Sequence, residues 1–201
     1  LHRNRLARSA AYFEICYDDK ALHAYLSQIA TECGTTISKI RVELNELGEW
    51  KVSVSPLEEM PWSGRVLLAT ARTDSQDVFI HHKTTNRTLY DNQFIAARAA
   101  GFDEVLFRNE KNQLTECAIS NIFLLIKGRW FTPALHCGVL PGVQREVELH
   151  SLHDVQEAEL YIEAFKSVER FVVCNALRGQ RSVSEILNTE GEVVWRDPSV
   201  R

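Results

Sequence analysis

The 201-residue chain is predicted to be an α+β protein with two lobes. Three observations carry that prediction. Helical and strand periodicities both occur, but without the strict alternation that a doubly wound sheet requires. A hairpin signal closes the early part of the chain after two amphipathic helical stretches. Residues 72–77 then carry no periodicity, so the boundary between lobes is placed there. The expected division is a small N-terminal domain over 1–72, a linker over 73–77 and a larger domain over 78–201.

The elements follow from local pattern. Leu6, Ala10 and Phe13 recur at helical spacing between Arg3, Arg5 and Arg8, so residues 1–12 read as a helix. The chain starts on Leu1, inside that pattern, so a preceding segment is expected. Residues 22–33 form a second amphipathic helix ended by Gly34. Ile40, Val42 and Leu44 alternate with polar partners as a strand, and the 45–49 turn returns it as 50–55. Residues 65–71, rich in Val and Leu, are a further strand. Beyond the linker, 78–82 reads as a short strand delivering Lys83, and 87–100 as a helix ended by Gly101. Residues 104–109 are a strand, and 114–126 are extended. A helix opens at Gly142, another is expected over 164–170, and a buried strand over 171–174. Val183 to Leu187 and Val193 to Arg196 close the chain as a hairpin.

Composition excludes several classes of function. Hydrophobic content of 45% and charged content of 25% are those of an ordinary globular protein. A net charge of −4 and a pI near 6.0 leave no basic footprint for nucleic acid or an anionic membrane. No apolar run is long enough to cross a bilayer. Five scattered cysteines without a C-x-x-C pair point to reduced thiols and a cytoplasmic setting.

A few residues carry chemistry. Lys83 follows Phe79, Ile80 and two histidines. It reads either as a solvated strand-end charge or as a partly desolvated amine able to attack an aldehyde. Glu116 lies among small and apolar neighbours, where a carboxylate must be paired; a protonated pyridine nitrogen is one partner, and a turn or an arginine another. Gly142-Val143-Gln144, opening the helix that contains Arg145, would aim N–H groups at an anion. Asn175-Ala176, after a buried strand, is a second cup, and Arg5 offers charge and paired donors. Each of these three also has the plain reading of a helix start, a turn and a solvated arginine. His150 and His153 have a metal-like spacing but no accompanying ligands, so no metal is assigned. Cys117 lacks an activating partner and reads as a small apolar filler. Together, a lysine, a carboxylate and anion-binding turns are what a pyridoxal-phosphate enzyme needs.

The order of these pieces is similar to a known family. The series His2-x-x-Arg5-Leu6, then Lys83, Thr115-Glu116-x-x-x-Ser120-Asn121-Ile122-Phe123, Thr132-Pro133, Gly138-x-Leu140-x-Gly142-Val143-x-Arg145 and Asn175-Ala176 resembles the class IV (fold type IV) pyridoxal-phosphate enzymes. These include branched-chain and D-amino-acid aminotransferases and aminodeoxychorismate lyases. Residues 82–91, His-Lys-Thr-Thr-Asn-Arg-x-x-Tyr-Asp, and Asn175-Ala176-Leu177-Arg178-Gly179 look most like the lyase, including the form fused behind aminodeoxychorismate synthase. The Gly-Asn-Tyr and Gly-Thr-Ala patterns of branched-chain enzymes are not in these places. The family pattern also sets a strand ahead of the arginine-bearing helix, which this chain lacks, and its 145–171 stretch is short.

The resemblance implies a two-lobed fold like that of D-amino-acid aminotransferase, with pyridoxal 5'-phosphate as cofactor. Lys83 would hold the cofactor and Glu116 would face its ring nitrogen. Arg5, the backbones of Val143 and Gln144, and Asn175-Ala176 would hold the phosphate. The expected reaction converts 4-amino-4-deoxychorismate into 4-aminobenzoate and pyruvate, with Arg87 or Arg178 as candidates for a substrate carboxylate. The alternatives are a class IV aminotransferase for branched-chain or D-amino acids, and an inactive domain kept for dimerisation or docking. A homodimer is expected, and an aminodeoxychorismate synthase component is the implied protein partner.

Overall fold

Capping and turn chemistry shape residues 1–61, and period-two burial shapes the rest. The computed structural model describes residues 1–199; the last two residues of the expected 78–201 domain lie outside the described residues. Contacts divide the chain into two units, Leu1–Pro61 and Trp62–Arg201.

The first unit opens with α1 (His2–Tyr12) and α2 (Asp19–Cys33). Asp18 caps α2 by accepting a hydrogen bond from Ala21 N at 2.9 Å, and Gly34 follows its last turn at φ 57°. Leu22 and Ile29 form the buried stripe of α2. β1 (Ser38–Leu44) pairs antiparallel with β2 (Trp50–Pro56). Asn45 holds the turn between them: its Oδ1 accepts from Leu47 N at 3.0 Å and Glu49 N at 2.9 Å. Tyr25 of α2 rests against Trp50 of β2, with ring centroids 5.3 Å apart.

The second unit runs β3 (Arg65–Thr73), α3 (Thr88–Ala99), β4 (Glu104–Asn109), β5 (Leu114–Cys117), β6 (Asn121–Ile126) and β7 (Arg129–Pro133). It continues with α4 (Val143–Ser151), β8 (Val155–Ala158), β9 (Val168–Asn175), β10 (Gly179–Ser182), β11 (Glu185–Leu187) and β12 (Val193–Arg196). The strands form two sheets, ordered β12-β11-β3-β4-β5 and β10-β9-β6-β7-β8. β3 is parallel to both β4 and β11, and β7 is parallel to β8.

Alternate side chains stack four layers. Leu106 of β4, Ile122 and Leu124 of β6, and Phe171 and Val173 of β9 meet Val66, Leu68, Ile186 and Trp195 in a core between the sheets. The intervening residues Val105 and Phe107 of β4 turn the other way, onto Ala97, Tyr90 and Phe94 of α3. Likewise Phe123 of β6 and Val172 and Cys174 of β9 pack on the side of Leu149, in α4. Strands buried on both faces explain the near-continuous apolar runs of β4, β6 and β9. Each fully buried Phe or Leu of this kind contributes roughly 1.5–3 kcal/mol of transfer free energy.

Three expectations change. The division falls at Pro61/Trp62 rather than over 73–77, because β3 pairs with two strands of the second unit. Residues 78–82 are not a strand: Val78–His81 is a 3-10 turn capped by Asp77, whose carboxylate accepts from Phe79 N at 2.9 Å. Residues 164–170 are not one helix, since a 3-10 helix over Ile162–Ser167 gives way at Val168 to β9, where Val168 pairs with Ile126. The 114–126 stretch is largely extended, as expected, and consists of two strands in different sheets separated by a turn at 118–120.

Candidate active site

Glu116 lies in β5, a strand buried along its whole length. Its side chain is 8% exposed, and two N–H donors converge on Oε2: Asn121 Nδ2 at 2.9 Å and Leu140 N at 3.2 Å. Burial pushes the carboxyl up to about 8, against the Leu140 hydrogen bond and the positive charges of Lys83, Arg87 and Arg145. A carboxyl so placed stays short of compensating charge and suits a ligand that brings a cation.

Asn121 ties this carboxylate to the loop that opens α4. Its Nδ2 also donates to Leu140 O at 3.0 Å. Gly142 lies so close that a Cβ there would overlap Asn121 Oδ1, so only glycine allows the approach. α4 then starts at Val143 with Gly142 as its cap and no side-chain cap bond. First-turn N–H groups of such a helix favour an anion. Arg145 is 3% exposed and serves the scaffold: Nη2 donates to Pro133 O at 2.9 Å and pairs with Glu157.

Lys83 follows the 3-10 turn and is exposed, and its charge is felt at Glu116. His82 beside it is held toward the neutral form, first by burial and then by His81. Arg87 joins the lysine loop to the glutamate turn: Nη2 donates to Ala118 O at 2.7 Å and Nε to Asp91 at 2.6 Å. Those bonds, and its position 5.8 Å from the Tyr90 ring, anchor Arg87 between the lysine loop and the turn at Ala118. Tyr90 packs on Phe107, and its hydroxyl is buried without a hydrogen-bond partner. Burial and the charge of Glu116 raise its pKa.

Asn175 ends β9, and its side chain bridges two turns. Nδ2 donates to Ser120 Oγ at 3.1 Å, while Oδ1 accepts from Leu177 N at 3.1 Å and Arg178 N at 2.9 Å. Cys117, beside Glu116, has its thiol pushed up by burial and by Glu104 and Glu116, which fits an inert apolar filler.

Hydrogen bonds or adjacency along residues 116–121 thus bring Glu116, the loop leading into Val143 and Gln144, and the Asn175-Ala176 turn into one constellation, and Lys83 acts on it through its charge. Arg5 is half-buried on α1 in the first unit, where burial and then Arg8 lower its pKa. Sequence reasoning gave no role to Asn121, Glu104, Ser120 or Tyr90. The available signal was polarity within apolar runs, since buried polar groups are almost always paired. Among the described residues no helix is long and apolar enough to cross a membrane, and no cluster of three His, Cys, Asp or Glu forms a metal site.

Comparison with known proteins gives the same outline. The profile of the amino-transferase class IV family matches residues 1–186. A candidate aminodeoxychorismate lyase of Schizosaccharomyces pombe is 26% identical over 155 residues, which cover 72% of this chain and 65% of that protein. The chain therefore spans about two thirds of the length of that curated relative. The crystal structure of a candidate amino-acid aminotransferase from Mesorhizobium loti superposes with a TM-score of 0.82 at 32% identity, covering 92% of this chain and 90% of that one. A candidate 4-amino-4-deoxychorismate lyase from Legionella pneumophila shares the fold with a TM-score of 0.84 at 19% identity, covering 98% of this chain and 79% of that one. The predicted α+β, two-lobed aminotransferase-like fold matches these structures.

Proposed function

The chain belongs to the amino-transferase class IV family, and from that membership we propose that it is a pyridoxal-phosphate-dependent aminodeoxychorismate lyase. The observation that carries the cofactor assignment is Glu116, a buried carboxyl fixed by Asn121 Nδ2 and Leu140 N, raised to about 8 and within the field of Lys83. The residues present fit the group. A cationic ring nitrogen would relieve the burial of Glu116, whose charge is also felt by the buried, unpartnered Tyr90 hydroxyl. Glu116 would face the ring nitrogen and keep it protonated. Lys83 would hold the aldehyde carbon. Val143 and Gln144, with Asn175 and Ala176, would hold the phosphate. When bound, pyridoxal phosphate supplies an electron sink beside the substrate nitrogen.

The chain's own part in the reaction is proton handling and placement. The Lys83 amine would take the proton from the ring carbon that bears nitrogen in 4-amino-4-deoxychorismate. The C–O bond to the enolpyruvyl group breaks and the ring becomes aromatic. The same proton returns to the departing methylene carbon, giving 4-aminobenzoate and pyruvate with no net gain or loss of atoms. Asn121 and Leu140 fix the Glu116 carboxylate throughout, and Arg87 keeps the lysine loop against the turn at Ala118.

The choice of lyase rests on residues 82–91 and 175–179 together with the S. pombe relative. A second reading, a class IV aminotransferase, is supported by the 32% identity to the M. loti protein. One assay separates them. The lyase reading expects equimolar 4-aminobenzoate and pyruvate from 4-amino-4-deoxychorismate without any 2-oxo acid. Amino transfer from a branched-chain or D-amino acid to 2-oxoglutarate, with no 4-aminobenzoate, would overturn it in favour of the transferase.

A further inference from the structure

Glu104 is a carboxylate that the reaction does not use, fully buried at the start of β4. Its oxygens are taken by the neighbouring backbone: Oε1 accepts from Val105 N at 3.1 Å and Oε2 from Ile119 N at 3.2 Å. Ile119 lies in the short 118–120 turn, so its bond ties that turn to Glu104. Ser120, the next residue of the turn, offers Oγ as an acceptor to Asn175, whose Nδ2 donates to it at 3.1 Å. The Asn175 amide is thereby oriented with Oδ1 toward its own turn, where Leu177 N and Arg178 N donate to it. The backbone N–H groups set these directions: Ile119 N can only donate to Glu104, and Leu177 N and Arg178 N can only donate to Oδ1, so the Asn175 amide presents its NH2 group to the Ser120 hydroxyl. Reversing the amide would set Nδ2 against two N–H groups.

The chain of bonds also crosses the fold. Glu104 lies in the β12-β11-β3-β4-β5 sheet, Asn175 in the β10-β9-β6-β7-β8 sheet, and Ser120 in the turn between Glu116 and β6. We infer that Glu104 is a positioning residue which, through Ser120 and Asn175, fixes the 175–178 turn in the conformation that receives the phosphate of the cofactor. The inference rests on the cofactor reading given above and extends it to a residue that touches no ligand.

The experiment compares two ligands that differ only in the phosphate. Binding of pyridoxal 5'-phosphate and of pyridoxal to the cofactor-free protein is titrated by fluorescence for wild type, Ser120→Ala, Ser120→Thr and Glu104→Gln. Ser120→Ala cuts the relay but leaves the backbone bonds of Glu104 intact, so it remains informative where Glu104→Gln fails to fold. The expected result is a loss of tenfold or more in affinity for pyridoxal phosphate in Ser120→Ala. Pyridoxal affinity stays within about twofold, and Ser120→Thr recovers most of the loss. Equal weakening of both ligands, or no weakening of either, would overturn the inference while leaving the cofactor reading intact. A folded wild type that binds neither ligand would overturn both.

Discussion

Glu116 and Glu104 face the same physical problem at the residue scale and meet it with different partners. Both are buried, and both hold their protons far above the usual carboxylate range, to about 8 and about 7. In each, burial is the leading cause, and hydrogen bonds to backbone N–H groups oppose it. The raised values give stability a definite sign with pH. Unfolded glutamates release their protons near 4.5, whereas the folded pair retains them until about 7 and about 8. Their contribution is therefore full below pH 4.5 and is lost as pH rises through those values. The cofactor-free protein is expected to show a falling thermal midpoint from pH 5 to pH 9. Glu104→Gln should flatten its lower part by an amount on the order of 3 kcal/mol. An unchanged slope in that variant would show that Glu104 does not titrate in this window. Lys83 and Glu116 were legible in the sequence because an ionisable residue beside an apolar run demands a reason. Glu104 offered the same signal, but its partner at 119 comes from a turn that local pattern does not reveal.

At the scale of elements, the loop from Gly138 to Gly142 is held against the end of β5 by two side chains, Glu116 and Asn121. Asn121 bonds to Glu116 on one side and Leu140 on the other, and Gly142 leaves the space for it. Two substitutions test that arrangement. Asn121→Ala removes a donor from a buried carboxylate and should cost about 1–3 kcal/mol in urea unfolding. Gly142→Ala forces the amide from its place and should cost about the same. Both should weaken cofactor binding, and combining them should cost little more than either alone, because they break the same contact. Fully additive losses would contradict a shared contact.

Elements with strong local pattern were readable: α2, α3, the β1–β2 hairpin and β4 all lie within a few residues of their expected places. β8 and β10 were not, since Val-Gln-Glu-Ala and Gly-Gln-Arg-Ser have no apolar alternation and become strands by pairing with β7 and β9. The 3-10 turn before Lys83 imitates a strand in sequence, through its apolar residues and two histidines. Asp77, one residue earlier, was the signal to read as a cap.

For the whole molecule, the larger unit is a sandwich of two sheets with α3 and α4 on its outer faces, and the candidate site gathers where the strands of the two sheets end or turn. β5 and β6 belong to different sheets, so the short 118–120 turn between them is the point at which both sheets can place residues on one ligand. Parallel pairing of β3 with β4 and β11 is what moved the boundary between units to Pro61/Trp62. Such long-range pairing leaves no trace in local periodicity, whereas the spacing of Lys83, Glu116 and Gly142-Val143 along the chain carried the family likeness without it. The central claim is that this constellation holds pyridoxal phosphate through Lys83. It is tested most directly by incubating the folded protein with pyridoxal phosphate, reducing with borohydride and mapping the labelled peptide. A phosphopyridoxyl group on Lys83, absent from Lys83→Ala, is the predicted result; a folded protein that takes up no label, or takes it elsewhere, would contradict the account.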